Sequence, residues 1–141
     1  MHPNEERLRR GYEAFAAGDM DAIREMFADD IVWRVSGRNP LAGEYRGQDQ
    51  VFDFFAKLMQ VSGGTFRVEV LDVLANDQRA VAITRTRVEL AGEALENTGV
   101  GVYEIGRDGK TKEASFFTQG GDVYRDDELL TKAAKLAGVS A

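Results

Sequence analysis

The chain has 141 residues, of which 43% are apolar and 30% are charged, and it contains no cysteine. This composition indicates one folded domain over residues 1–141 and excludes disulfides, thiolate metal sites and cysteine nucleophiles. The net charge of −6 argues against nucleic acid or an anionic membrane surface as the main partner.

The N-terminus bears on localisation and on catalysis. Its first residues lack the basic and apolar regions of a signal peptide, and with no cysteine to oxidise we expect a cytoplasmic protein. The one histidine, His2, stands at an end that we expect to fray. Neither imidazole catalysis nor a histidine-rich metal site is therefore predicted.

Helical spacing of apolar residues predicts three helices in the first half of the chain. Asn4 is the expected N-cap of the first helix, and Gly18 ends it. Asp19 caps the second helix, and the acidic pair at 29–30 closes it. The third helix, over 48–61, is rich in large apolar side chains and is stopped by a pair of glycines.

Strands are predicted for most of the remaining chain. Residues 31–35 alternate as a strand, and 36–47 read as a glycine-rich loop. After the third helix come four strands, over 65–74, 79–90, 95–105 and 110–119, and then a short polar helix from about 126 to 137. In the first of these four, two alternating apolar sets compete, so its inward face is ambiguous.

The order of elements is α-α-β-α-β-β-β-β, with a short C-terminal helix. It predicts an α+β domain in which three early helices cover one face of a largely antiparallel sheet. The sheet must curl around the third helix to cover that helix's aromatic side chains.

Three stretches of sequence form a recognisable pattern. They are YEAFAAGD at 12–19 with MFADDIVW at 26–33, NPLAGEYRG at 39–47, and VGVYEI at 100–105 with DGK at 108–110. In their order and spacing they resemble the SnoaL-like proteins, which are relatives of polyketide cyclases and ketosteroid isomerases in the nuclear transport factor 2-like superfamily. The resemblance implies a cone-shaped, curved mixed sheet that closes with the helices around a deep apolar pocket.

The resemblance places this pocket between the third helix and the concave face of the sheet. Period-2 alternation in the strands then identifies the residues that face it. They are Trp33, Val35, Thr84, Thr86, Val88, Asn97, Gly99, Gly101, Ala114, Phe116 and Thr118, joined by Phe15, Phe55 and Met59 from the helices. We expect these residues to bind a hydrophobic substrate without a metal or cofactor. Trp33 either stacks on a flat ligand or fills the core.

The acid and base positions of ketosteroid isomerase are not matched in this chain. That enzyme uses an aspartate base, with a tyrosine and a protonated aspartate as donors. By resemblance, the base position falls on Val35, the acid donor on Gly101 and the tyrosine on Gly11, beside Tyr12. Valine and glycine cannot transfer protons, so that form of the mechanism is not expected. Gly101 either clears space for a bulky ligand or marks a bend in the curled sheet.

Three polar residues remain as catalytic candidates. Asn97 can orient a carbonyl or hydroxyl group, because its amide both donates and accepts hydrogen bonds. Tyr12 can donate from the first helix, or it is an amphipathic core residue. Asp122 follows the last strand and either closes the edge of the pocket or lies at the surface.

Three functions are consistent with these residues. The first is a cofactor-independent enzyme of the polyketide cyclase or isomerase type, acting on a hydrophobic carbonyl compound. The second is a non-catalytic binding protein for a hydrophobic metabolite. The third is a protein-interaction module that uses the exposed face of the sheet. That face reads as charged, with Arg85, Arg87, Glu89 and Glu104, which suits solvent or a modest homodimer contact. By resemblance, we expect a homodimer.

Overall fold

A computed structural model describes residues 1–119 and 123–139, which form four helices and six strands. The helices are α1 (Pro3–Ala17), α2 (Met20–Met26), α3 (Gln48–Ser62) and α4 (Val123–Leu136). The strands are β1 (Phe27–Val35), β2 (Gly43–Arg46), β3 (Arg67–Ala75), β4 (Arg79–Leu90), β5 (Glu93–Ile105) and β6 (Thr111–Gln119). The predicted α+β class is confirmed. No described helix is both long enough and apolar enough to span a bilayer.

One mixed sheet runs in the order β2-β1-β6-β5-β4-β3. All neighbouring strands are antiparallel except β1 and β6, which are parallel. Helices α1, α2 and α3 pack on its concave face, where α1 contacts β3 and β4, and α3 contacts β1 and β2. The hydrophobic core therefore lies between the layer of helices and the sheet, where the apolar faces of both pack against each other.

The N-terminus of α1 is fixed by His2 and is not frayed. The His2 Nδ1 atom accepts a hydrogen bond from the Asn4 backbone N–H at 3.0 Å, so His2 is the N-cap in place of Asn4. Its Nε2 atom lies 2.9 Å from the Asp77 carboxylate. Asn4 is instead buried, and its side-chain amide donates to the Asn76 carbonyl at 2.8 Å. The start of α1 is thereby tied to the turn between β3 and β4.

The boundary between α2 and β1 falls earlier than predicted. Asp19 caps α2 as expected, accepting from the Ala22 N–H at 3.1 Å. The helix ends at Met26, and Phe27 already has the extended backbone of β1. The acidic pair 29–30 lies inside this strand, where the pairing with β6 shifts register.

The expected loop 36–47 contains the short strand β2. Its four residues pair antiparallel with β1, so that Trp33 faces Tyr45 across the ladder. Flanking glycines and the proline at 40 mask this strand in the sequence, because the strand itself is too short to show an alternating pattern.

A β-bulge explains the ambiguous pattern of β3. Val70 pairs with Thr84 and Asp72 pairs with Ile83, so Leu71 is an extra residue between two registers. Beyond the bulge Val73 is buried and Leu71 is exposed. Val68 and Val70 before the bulge and Val73 beyond it therefore face inward, whereas Leu71 does not.

The convex face of the sheet is charged only at its margins. Arg85 pairs with Glu69 and Glu96, and Arg79 pairs with Glu104. Between these ion pairs, cross-strand neighbours form a band that we call the apolar strip. It consists of Leu74, Val81, Ile83, Val100, Val102 and Phe117. This corrects the expectation of a uniformly charged face, since Leu74 and Phe117 are both more than half exposed.

Candidate functional site

A cavity of about 620 Å³ lies between α1, α2 and α3 and the concave face of the sheet. Most of the residues predicted to face the pocket line this cavity. They are Phe15, Trp33, Val35, Phe55, Thr84, Thr86, Val88, Asn97, Gly99, Phe116 and Thr118. A volume of this size is typical of small-molecule sites.

Met59 does not line the cavity, although the sequence placed it there. The face that α3 turns inward consists of Phe54, Phe55 and Leu58. At about 100° per residue, Met59 lies roughly a quarter-turn from the centre of that face. It is half-buried at the side of the helix.

Two further residues that were predicted to face the pocket, Gly101 and Ala114, do not line the cavity. Ala114 is fully buried in the core. A Cβ atom at Gly101 would lie 2.9 Å from the Tyr103 ring and 3.0 Å from the Phe116 ring. The space that this glycine leaves is therefore filled by two aromatic side chains and not by a ligand. Gly99, by contrast, remains at the cavity wall.

Aromatic rings form the wall behind the cavity. The Trp33 ring lies 4.5 Å from that of Phe116, 5.3 Å from that of Phe55 and 6.2 Å from that of Tyr103, between centroids. Trp33 is 7% exposed, and within the described residues its indole Nε1 atom has no hydrogen-bond partner. Trp33 thus fills the core and presents only part of its surface to the cavity.

Two tyrosine hydroxyl groups meet in the cavity. Tyr12, from α1, and Tyr103, from β5, both line it, and their Oη atoms lie 2.6 Å apart. The sequence analysis proposed Tyr12 and missed Tyr103. The sequence does contain a signal for Tyr103. At period 2 it lies on the same side of β5 as Gly99 and Gly101, which were predicted to face the pocket.

Burial keeps both tyrosines neutral. Loss of hydration raises the pKa of Tyr12 to about 12, while the hydrogen bond from Tyr103 acts in the opposite direction. Burial also raises the pKa of Tyr103 well above its ordinary value, and the neighbouring Tyr12 adds to that increase. Both groups are therefore hydrogen-bond donors at neutral pH, and neither is a base.

The burial of Tyr103 sets the direction of the bond between the two hydroxyls. Tyr103 is 5% exposed, and Tyr12 is the one partner of its hydroxyl in the part of the chain that the structure describes. An unused donor in such a position is costly, so Tyr103 donates to Tyr12. The Tyr12 proton is then left for an acceptor in the cavity.

The end of the cavity near α4 is polar. The Asn97 amide donates to the Asp126 carboxylate at 2.7 Å, and the Asn39 amide donates to Asp127 at 2.7 Å. Asn97 thus joins β5 to α4 and orients a carboxylate that also lines the cavity. Asp122, the third predicted catalytic residue, lies outside the described residues.

The cavity brings Tyr12 and Asn97 to one enclosed space without a hydrogen bond between them. Among residues 1–119 and 123–139, no group of three histidine, aspartate or glutamate side chains is placed to hold a metal ion. Tyr12 and Asn97 therefore bring to the described site a neutral donor pair and a carboxylate held by an amide.

Most of the chain matches a known domain family, and part of it matches a mycobacterial protein. The sequence model of the SnoaL-like domain matches residues 8–114. The uncharacterized protein Rv0034 of Mycobacterium tuberculosis is 37% identical over 90 residues, which are 63% of this chain and 69% of that protein.

Solved structures have the same fold. Bal32a, from a soil-derived mobile gene cassette, is 33% identical with a TM-score of 0.83, over 90% of this chain and 95% of that one. TerC, co-crystallized with polyporic acid, is 23% identical with a TM-score of 0.78, over 92% of this chain and 98% of that one.

Proposed function

The chain belongs to the SnoaL-like domain family, and from that membership we propose a cofactor-independent enzyme of the polyketide cyclase or isomerase type. Its substrate would be a hydrophobic carbonyl compound held in the cavity. The observation that carries the proposal is the Tyr12–Tyr103 hydroxyl pair, which offers a neutral donor beside aromatic rings in the cavity.

The donor pair would act on the carbonyl oxygen. Tyr12 donates to this oxygen while Tyr103 donates to Tyr12, so the second bond strengthens the first. When a proton leaves the carbon beside the carbonyl, negative charge develops on the oxygen. A preformed donor stabilises this charge more than it stabilises the neutral ketone, and the reaction accelerates.

No carboxylate of the described lining lies beside the donor pair, so water in the cavity would take up the proton that leaves the carbon. Three carboxylates belong to the described lining of the cavity, those of Glu25, Asp108 and Asp126. The first two are exposed, whereas Asp126 is half-buried and held by the Asn97 amide at 2.7 Å. Asn97 is six residues from Tyr103 along β5, or roughly 20 Å, so Asn97 and the carboxylate that it holds lie at the other end of the cavity from the donor pair.

A deuterium-exchange experiment tests this function. The bicyclic ketone decalone is incubated with the protein in heavy water, and loss of its α-proton signals is followed by NMR. We expect the wild-type chain to accelerate exchange, and Tyr12→Phe to lower that acceleration by about 10²-fold or more. The matched control is Tyr45→Phe, because the Tyr45 hydroxyl donates to the Leu41 carbonyl and does not line the cavity.

A non-catalytic binding protein is the second candidate. It is favoured by the absence of any described carboxylate among the aromatic rings around Tyr12 and Tyr103. Decalone that binds without faster exchange would support this candidate and contradict the enzyme. Decalone that does not bind would contradict both.

We further propose that a second copy of the chain covers the apolar strip. When a two-fold axis relates two such faces, the apolar strip of one copy packs against that of the other. The ion pairs then lie at the rim of the contact. Exposed Leu74 and Phe117 are the side chains that gain most from this contact.

A further inference from the structure

A group of cations lies at the end of the cavity between α1 and the hairpin joining β5 to β6. Arg7, Arg10 and Lys110 all line the cavity there. Arg7 and Arg10 are one turn apart on α1, and Lys110 is next to Gly109, against which Arg7 packs. The three positive charges therefore gather at one opening.

Arg7 and Arg10 differ from most arginines of the described chain in having no ion pair, and Lys110, like the other described lysines, has none either. Eight arginines of the described chain are paired with carboxylates. Arg7, Arg10 and Lys110 form no such pair with any residue in 1–119 or 123–139. The three cations at this opening are therefore available to an anionic ligand.

Arg7 is held in position by two features. Its guanidinium donates to the Asn4 side-chain carbonyl at 2.7 Å, and Asn4 is itself only 2% exposed. A Cβ atom at Gly109 would lie 2.9 Å from the guanidinium carbon, so only glycine lets Arg7 approach the hairpin this closely. One bond to Asn4 leaves most of its five N–H donors for another acceptor.

The net charge of this end selects a monoanion. Glu25, on α2, and Asp108, on the hairpin, also belong to the cavity lining, and their two carboxylates leave the three cations with an excess of one positive charge. Guanidinium groups bind carboxylates with paired, charge-assisted hydrogen bonds. A phosphate dianion would exceed the available charge, so a carboxylate is the better match.

We infer that this end of the cavity binds a carboxylate and that the ligand is an apolar compound carrying both a carbonyl and a carboxylate group. The inference rests on the proposed function and names its substrate class. Tyr12 follows Arg7 by five residues on α1, which separates them by about 7.5 Å along the helix axis. The ligand would therefore span roughly one and a half helical turns between its two polar groups.

Trp33 offers a direct readout of binding. It is the one tryptophan of the chain and it lines the cavity, so its fluorescence reports occupancy. The probes are dodecanoate and dodecanol, which have equal chain length and differ in charge, together with decalone. We expect dodecanoate to bind about tenfold more tightly than dodecanol at low salt, and this preference to shrink as salt is raised.

Variants assign the preference to the named cations. Arg7→Gln with Arg10→Gln should weaken dodecanoate binding about tenfold or more and leave dodecanol within twofold. Lys110→Gln is the second variant, since Lys110 has no part in the Arg7–Asn4 contact. Arg107→Gln is the matched control, because this arginine is exposed on the same hairpin and does not line the cavity.

The possible outcomes distinguish a failure of the carboxylate site from a failure of the proposed function. Equal affinity for dodecanoate and dodecanol, or a preference that survives the substitutions, would overturn the carboxylate site while decalone still binds. Failure of decalone to bind would contradict the proposed function itself.

Discussion

Burial of Tyr12 and Tyr103 means that the folded protein favours the neutral form of both side chains. The folded pKa of Tyr12 is about 12, against an ordinary value of 10.0. A group whose pKa is raised by folding stabilises the protein fully below its unfolded pKa, and this contribution is lost as the pH rises through the folded pKa. We therefore expect the free energy of unfolding to fall between about pH 10 and 12.

Urea denaturation at several pH values, with tyrosinate absorbance as a second readout, checks this expectation. The double variant Tyr12→Phe and Tyr103→Phe removes both groups, and its stability should decline less over the same pH range. Identical pH profiles for the two proteins would show that the pair ionises as easily in the folded chain as in the unfolded one.

We expect replacement by alanine to have opposite effects on stability at Gly101 and at Gly11. Gly101→Ala places a methyl group 2.9 Å from the Tyr103 ring, and we expect it to destabilise the fold by about 1–3 kcal/mol. Gly11→Ala lies within α1, where the new methyl would meet Met26 Sδ at an ordinary 3.7 Å. Alanine favours the helix, so stability should rise by up to about 1 kcal/mol. Urea denaturation of both variants measures the two signs, and a stabilising Gly101→Ala would contradict the packing described here.

At the scale of elements, the N-terminus of α1 depends on one imidazole. Nδ1 of His2 accepts the helix N–H, so Nε2 carries the proton that faces Asp77. His2→Ala removes the cap and should destabilise the protein by about 1 kcal/mol. His2→Asn retains a capping side chain and should recover most of the loss in thermal denaturation. Equal destabilisation by both would assign the effect to Asp77 instead.

Sequence periodicity predicted the long elements better than the short ones. The bounds of β4 agree with the prediction of 79–90, since Arg85, Arg87 and Glu89 alternate with Thr84, Thr86 and Val88 and turns at 76–77 and 91–92 delimit the strand. The four residues of β2 offer too few positions for such a pattern. The bulge at Leu71 was visible as two competing apolar sets, but the position of the extra residue depends on pairing with β4.

The same distinction holds for the candidate site. Alternation along β4 and β5 was enough to place Thr86, Val88 and Asn97 on the cavity side. It could not show that Tyr12 meets a side chain 91 residues away, or that Asn97 contacts Asp126 in a helix that follows β6. Such partners are set by the curvature of the sheet and by the docking of helices, which a local pattern does not contain.

For the molecule as a whole, the apolar strip predicts the state of association. We expect a dimer in size-exclusion chromatography with light scattering, and Phe117→Glu should yield a folded monomer because it places a charge within the apolar contact. Leu136→Glu is the control, since Leu136 is 73% exposed on α4 and is not part of the apolar strip. A monomeric wild-type chain, or a dimer that tolerates Phe117→Glu, would contradict the proposed contact.

The place of β6 between β1 and β5 bears on how the chain is made. Strand β1 has β2 on one side, but its other edge stays open until residues 111–119 have left the ribosome. Until then residues 1–110 hold α3 and its aromatic side chains against an incomplete sheet. Long-range pairings of this kind form slowly, and the open edge invites contact with other nascent chains. Translation speed over the second half of the message would therefore influence the yield of folded protein.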